Sequence, residues 1–534
     1  MRQVTSQNKS RSGSMNQGVL MAVTSLVVLG GLAALLVTSP GKNSSNRQVQ
    51  SNGGNHSGTS GETQQDLVMY CAAGIKPPIA DAAVKFAEEK FGAVVQLQYG
   101  GSGTLLSNLK VAKRGDLYLA ADNSYQEIAK KDNLVRETIP LAKIRPVIAV
   151  QKGNPKKISS LDDLLKDGVK VALANPDAAS VGKLTKKLTT KTGHWDRLKK
   201  HAAVFKPTVM EIATDVILGA VDAAIVWDST VNQSPDKLEA VHIPQFDAAE
   251  KTITIGVLSW SKQPTEALRF ARYLQAPGKG QPEFKKHGYE LIGGDSWAES
   301  PKLLLFSGGV NRLAIEDTIR SFEIREDATV DVVYNGCGIL VSQINAGALP
   351  DAYFACDVSY MGQVQDKFHP AVTVSETDMV IITKKGNPKN IKNLHDLARD
   401  GVKLGIAHEE QSALGALTKR MMEKIDHDGQ NLYSAIQKNV KQNTPTADLL
   451  VNQLRVGGLD ASIVYMANVS LVKDKLEIVP ITEANPRAEQ PIAIGKNSKH
   501  SYLMQRLLNE ISSAQSRTRF ESRGFRWRIE DSKP

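Results

Sequence analysis

Short apolar runs alternate with amphipathic stretches along most of this chain. Leu67-Val68-Met69-Tyr70, Val147-Ile148-Ala149-Val150, Val169-Lys170-Val171-Ala172-Leu173 and Ala223-Ala224-Ile225-Val226-Trp227 read as strands, while Ile79, Ala82, Ala83, Phe86 and Ala87 recur at helical spacing, as do Leu105, Leu109 and Ala112. Strands interleaved with helices predict an α/β fold on mostly parallel sheets, which bind ligands where strand ends meet helix starts. The pattern then repeats. Val94 to Tyr99 followed by Gly100-Gly101-Ser102-Gly103 returns as Val330 to Tyr334 followed by Asn335-Gly336-Cys337-Gly338, an offset of 235 residues. Leu119-Ala120-Ala121-Asp122 returns as Phe354-Ala355-Cys356-Asp357, and Ala224-Ile225-Val226-Trp227 as Ser462-Ile463-Val464-Tyr465. A period this long is far outside the roughly 20–50 residues of solenoid repeats. It predicts a duplicated globular module, residues 66–298 and 302–528.

The chain before residue 66 follows a different pattern. Residues 18–38 are apolar and uncharged, long enough to cross a bilayer, and Arg2, Lys9 and Arg11 precede them with no acidic residue. This predicts a basic cytoplasmic N-terminus over 1–17, a transmembrane anchor or signal sequence over 18–38, and an extracytoplasmic remainder. No clean small-x-small cleavage site or lipidated Cys follows, which favours an anchor. Residues 39–65, rich in Ser, Gly, Asn and Gln, read as a flexible linker. Net charge is +10, but residues 1–65 hold five Lys or Arg against one Glu, so the remaining excess is thin. Basic runs such as Lys183-Leu184-Thr185-Lys186-Lys187 sit on helical patterns without interleaved aromatics, which argues against a nucleic-acid partner.

The candidate chemistry lies at the strand-to-helix junctions. After Tyr99 the glycine turn opens a helix at Thr104, with backbone N–H groups and the Ser102 hydroxyl placed for an anion. Cys71-Ala72-Ala73-Gly74, Ala178-Ala179-Ser180-Val181-Gly182, Pro207-Thr208-Val209 and Trp227-Asp228-Ser229-Thr230 are small-residue junctions at equivalent places. HExxH, P-loop and GxSxG motifs are absent, as are His/Cys/Asp clusters at metal-ligand spacing. Asp122 and Asp357 follow strands, where capping the next helix is their expected task. The module therefore reads as a binder rather than an enzyme, with no catalytic residue, metal or cofactor. Cys71, Cys337 and Cys356 are too few for a disulfide framework; Cys337 and Cys356 fit either one exported disulfide or two buried thiols.

Taken in order, Tyr70-Cys71-Ala72-Ala73-Gly74, Tyr99 to Gly103, Asp116 to Asp122, Lys152-Gly153-Asn154-Pro155, Gly219 to Trp227 and Phe284-x-x-x-Gly288-Tyr289 resemble the molybdate-binding proteins of ABC importers, members of the type 2 periplasmic solute-binding proteins. The resemblance implies two tandem modules after an N-terminal membrane segment. Each would have two α/β lobes closing on a ligand cleft, with lobe one of the first module at 66–145 plus 245–298 and lobe two at 146–244. It also implies that uncharged donors hold the oxyanion. The matching positions are Gly74, Ser102, Val181, Val209 and Trp227, of which only Ser102 keeps the family's side chain. Val181 and Val209 would donate from the backbone, Gly74 offers no hydroxyl, and Trp227 offers an indole N–H in place of a phenol. Lys76, with Arg312 as its counterpart, is a candidate source of charge. In the second module the positions hold Val310, Cys337, Leu414, Ala447 and Tyr465, which leaves open a second anion site, a thiol-bearing site or a module kept for a partner. The function implied is capture of a small oxyanion for an ABC permease; a membrane-tethered sensor or scaffold using the same clamshells is the alternative.

Overall fold

The computed structural model describes residues 66–89, 94–484 and 486–529. The segments 1–17, 18–38 and 39–65 lie outside the described residues, and among those described no helix is long and apolar enough to cross a membrane.

Module one splits into two lobes because its strands build two sheets. Lobe one of module one is a six-stranded sheet in the order Glu290–Leu291, Val135–Ile144, Lys251–Leu258, Leu117–Ala120, Leu67–Ala72, Val95–Gly100. Lobe two has five strands in the order Val204–Lys206, Val171–Ala174, Ala223–Trp227, Pro146–Gln151, Leu238–Val241. The uninterrupted apolar runs are the inner strands: Val171–Ala174 and Ala223–Trp227 are buried at every position, as strands covered on both faces must be. The edge strand Val95–Gly100 carries two glutamines and a half-exposed Tyr99 instead.

The sheets are mixed rather than mostly parallel. Leu67–Ala72 runs parallel to Val95–Gly100 and Leu117–Ala120, but Lys251–Leu258 runs antiparallel to both of its neighbours. Pro146–Gln151 is likewise antiparallel to Ala223–Trp227 and Leu238–Val241. These reversed strands carry the chain between the lobes. Apolar runs report burial and not direction, so the pattern alone predicts too much parallel sheet.

Module two repeats the arrangement with one difference at the crossing. Val372–Lys384 is a single unbroken strand that pairs with Arg487–Ile494 in lobe one and with Ala461–Tyr465 in lobe two. In module one the corresponding strand stops at Ile144 and restarts at Pro146, which stands where module two has Met379. Proline has no N–H to continue a ladder, and it restricts the residue before it.

The modules meet through the helix Pro264–Gln275 of the first and Arg312–Glu326 of the second. Glu326, 1% exposed, takes hydrogen bonds from Arg506 Nε at 2.6 Å and Nη2 at 3.0 Å, and from Arg272 Nη1 at 3.1 Å. Burial opposes the Glu326 charge, but the two guanidinium groups outweigh it and hold the carboxyl below the usual glutamate range. Arg325 grips Glu137 with two bonds of 2.9 Å, and Asp295 accepts the N–H groups of Tyr502 and Leu503 at 2.9 and 2.8 Å.

Candidate functional site

The strand-to-helix junctions of module one converge between its lobes. Ala72 to Gly74, Gly100 to Ser102 and Ala121 face Ala179 to Val181, Thr208, Val209 and Trp227 across a cavity of about 20 Å3. A buried water needs roughly 10–15 Å3 by the same measure, so the space suits one small solute. All its lining residues are uncharged. Gly74, Ser102, Val181, Val209 and Trp227 are brought together here. Lys76 is not: its Nζ lies 5.1 Å from the centroid of the Tyr99 ring, and Arg312 repeats this over Tyr334 at 5.3 Å while also donating to Glu316.

Two helices start at the cavity without a side-chain cap. Ser102–Ala112 follows Gly101 and begins two residues before the Thr104 start expected from its pattern; Ser180–Lys191 follows Ala179. Their first N–H groups have no intrahelical acceptor, which is the arrangement an anion occupies. The third helix, Val209–Ile217, is capped differently. Thr208 and Glu211 form a capping box that takes up the Glu211 N–H and the Thr208 N–H, leaving the Val209 amide at the cavity edge.

Ser102 is the centre of the hydrogen bonding. Its Oγ accepts from Ala121 N at 3.0 Å and from Ser180 Oγ at 2.9 Å, and it is 2% exposed. With two donors on its lone pairs, the hydroxyl hydrogen is left for a ligand acceptor. Ser180 is the polar residue that sequence reasoning missed. It lies inside a small-residue junction already singled out, but a lone serine beside Val181 carries no pattern of its own. Behind the cavity, the Gly74 carbonyl accepts from Tyr289 Oη at 2.6 Å and Gln233 Nε2 at 3.1 Å, which fixes the loop in place. Burial pushes the Tyr289 phenol and the Cys71 thiol well up, so both stay neutral.

The glycine turn also has a task besides approach to a ligand. A Cβ on Gly101 would come within 2.5 Å of the Ala178 and Pro207 carbonyl oxygens, and one on Gly103 within 2.2 Å of Asp177 O. Gly103 N donates to Ala178 O at 2.8 Å. Module two repeats the contact: Gly336 faces Gln411 O and Pro445 O, Gly338 faces Glu410 O, and Gly338 N donates to Gln411 O at 3.0 Å. These glycines let the lobes close, backbone against backbone.

At the corresponding place in module two, Cys337 and Cys356 form a disulfide, whereas Cys71 is free and buried. Ser307 is fully buried and its hydroxyl turns to the Gly308 carbonyl at 3.3 Å. Asp122 and Asp357 cap the next helix in each module, accepting from Ser124 N and Ser359 N.

A Haemophilus influenzae protein named only as a binding protein is 30% identical over 224 residues, 42% of this chain and 90% of that protein. The molybdate-binding protein ModA of Mycobacterium tuberculosis is 26% identical over 263 residues, 48% of this chain and 93% of its own. Among solved structures, the periplasmic molybdate-binding protein of Azotobacter vinelandii aligns at 17% identity and a TM-score of 0.37, over 42% of this chain and 100% of its own. The pattern of the bacterial extracellular solute-binding proteins matches twice, at residues 67–290 and 303–526, and the chain belongs to that family as a tandem pair.

Proposed function

We propose that module one captures a small oxyanion of the molybdate or tungstate kind outside the cytoplasm and hands it to an ABC permease. The observation that carries this reading is the uncharged cavity at Ser102, where a buried hydroxyl with a spare hydrogen stands beside two uncapped helix starts. Neutral donors suit a dianion in a closed, dry cleft, where each hydrogen bond is stronger than in water. Donor number and cavity size then select the anion, and no proton transfer is needed. The relatives named for molybdate add support. Residues 18–38 serve as the tether in this reading, which cell fractionation tests.

The direct experiment is thermal unfolding against molybdate, tungstate, sulfate and phosphate. A ligand that binds only the folded state raises the midpoint with its concentration. One anion raising the midpoint of the wild type but not of Ser102→Ala is the expected result. No shift with any of the four sinks the oxyanion reading and leaves an organic solute as the cargo.

A further inference from the structure

The two clefts differ at the floor, and the differences are matched to one another. Ala72, Ser102 and Ala121 line the floor in module one; Gly308, Cys337 and Cys356 stand in their places. Cys337 and Cys356 are both buried in a disulfide. A Cβ on Gly308 would lie 2.2 Å from Cys356 Sγ and 3.1 Å from Cys337 Sγ. The alanine of module one has no room there, so all three positions are needed to seat the bond.

The backbone contact survives the exchange and the donor does not. Cys356 N donates to Cys337 Sγ at 3.0 Å, as Ala121 N donates to Ser102 Oγ at 3.0 Å. A disulfide sulfur carries no hydrogen to give a ligand. The Ser180 hydroxyl is lost too, because Ala413 replaces it at the start of the facing helix, where Ser412 stands one residue earlier in place of Ala179. Bulk has also moved across the cleft. Gly74, whose added Cβ would lie 2.9 Å from Val209 Cγ1, becomes Val310, while Val209 becomes Ala447.

We propose that the Cys337–Cys356 disulfide closes module two to oxyanions, so that the chain carries one oxyanion, in module one. The count of one rests on the oxyanion reading of module one; the exclusion from module two does not. Backbone amides at Leu414 and Ala447 remain, as does the Tyr465 hydroxyl, buried with no hydrogen-bond partner among the described residues, but losing the hydroxyl that Ser102 supplies to a desolvated anion lowers affinity about tenfold or more.

Native mass spectrometry of the oxidised full chain with molybdate and tungstate counts anions per molecule. One is expected for the wild type and none for Ser102→Ala/Ser180→Ala. A floor transplant, Gly308→Ala/Cys337→Ser/Cys356→Ala/Ala413→Ser, is expected to add one to the wild-type count, with circular dichroism reporting its fold. Two anions on the oxidised wild type overturn the proposal, as does one anion remaining on the Ser102/Ser180 variant. A folded transplant that stays at the wild-type count also overturns it. A wild type that takes none while the transplant takes one leaves module two as described and removes the oxyanion reading of module one. If the transplant does not fold, the first two counts decide.

Discussion

At the scale of single residues, Ser102 and Ser180 divide the task of meeting a ligand. Ser180 spends its hydrogen on Ser102, which turns the Ser102 hydroxyl outward. Ser102→Ala removes a hydrogen bond to a charged group, about 1.5–3 kcal/mol, or roughly ten- to a hundredfold in Kd by calorimetry. Ser180→Ala frees the Ser102 hydroxyl to rotate and is expected to cost less, about 0.5–1.5 kcal/mol. An equal loss in both variants would mean that Ser180 touches the anion itself. Ser102 was legible because a glycine turn after a strand announces it. Ser180 was not, because its importance comes from a partner 78 residues away across the cleft. Lys76 illustrates the opposite failure: a cation near a glycine loop reads as an anion ligand, yet an aromatic ring on the neighbouring edge strand holds it.

At the scale of elements, closure depends on glycines that were legible as repeated letters but not as lobe contacts. Gly101 and Gly103 recur as Gly336 and Gly338, whereas Gly100 does not recur, since Asn335 takes its place. The recurring pair are the ones pressed against carbonyls of the other lobe. Gly103→Ala is expected to hold the first cleft ajar and to weaken anion binding about tenfold or more, since the competent closed state becomes a minor population. Gly338→Ala, which does the same to the second cleft, is expected to leave anion binding unchanged. Small-angle scattering with and without anion reads the first effect, and calorimetry reads both. The direction of the crossing strands was beyond the sequence pattern for a related reason. Burial of Lys251–Leu258 and Pro146–Gln151 is written in apolar residues, but their reversal follows from which lobe comes next.

At the scale of the whole molecule, the duplication and the α/β class were legible, while the joint between the modules was not. It rests on Glu326, which in sequence is one acid among the charges of an amphipathic helix. Glu326→Ala leaves two buried guanidinium groups facing each other and is expected to cost about 3–5 kcal/mol, seen as a lower thermal midpoint. The same carboxyl sets an acid limit. Because its folded pKa lies below the unfolded value of about 4.3, its contribution is present above that pH and is lost as the pH falls through the folded value. The midpoint is therefore expected to fall on acidification below about pH 4, and to fall less in Glu326→Ala. A long-range effect belongs at this scale too. Lys131, Lys183, Lys187 and Lys251 outnumber Asp122 and Glu127 around a second cleft of about 350 Å3 in module one. Their field should steer anions inward, so association by stopped flow is expected to slow as salt rises, with dissociation little changed.

The joint at Glu326 also separates two copies that the sequence makes look alike. Module one grips module two with the helix that bears Arg269 and Arg272, the first reaching Asp327 at 2.7 Å and the second Glu326. The equivalent helix of module two carries Arg506 and Asn509 at those positions, and Arg506 is turned inward onto Glu326 of its own module. A head-to-tail contact repeats without end only if each copy offers the next the surface it has used itself. Here the second copy has spent one arginine and lacks the other. The surface by which module one holds module two is therefore not offered again by module two.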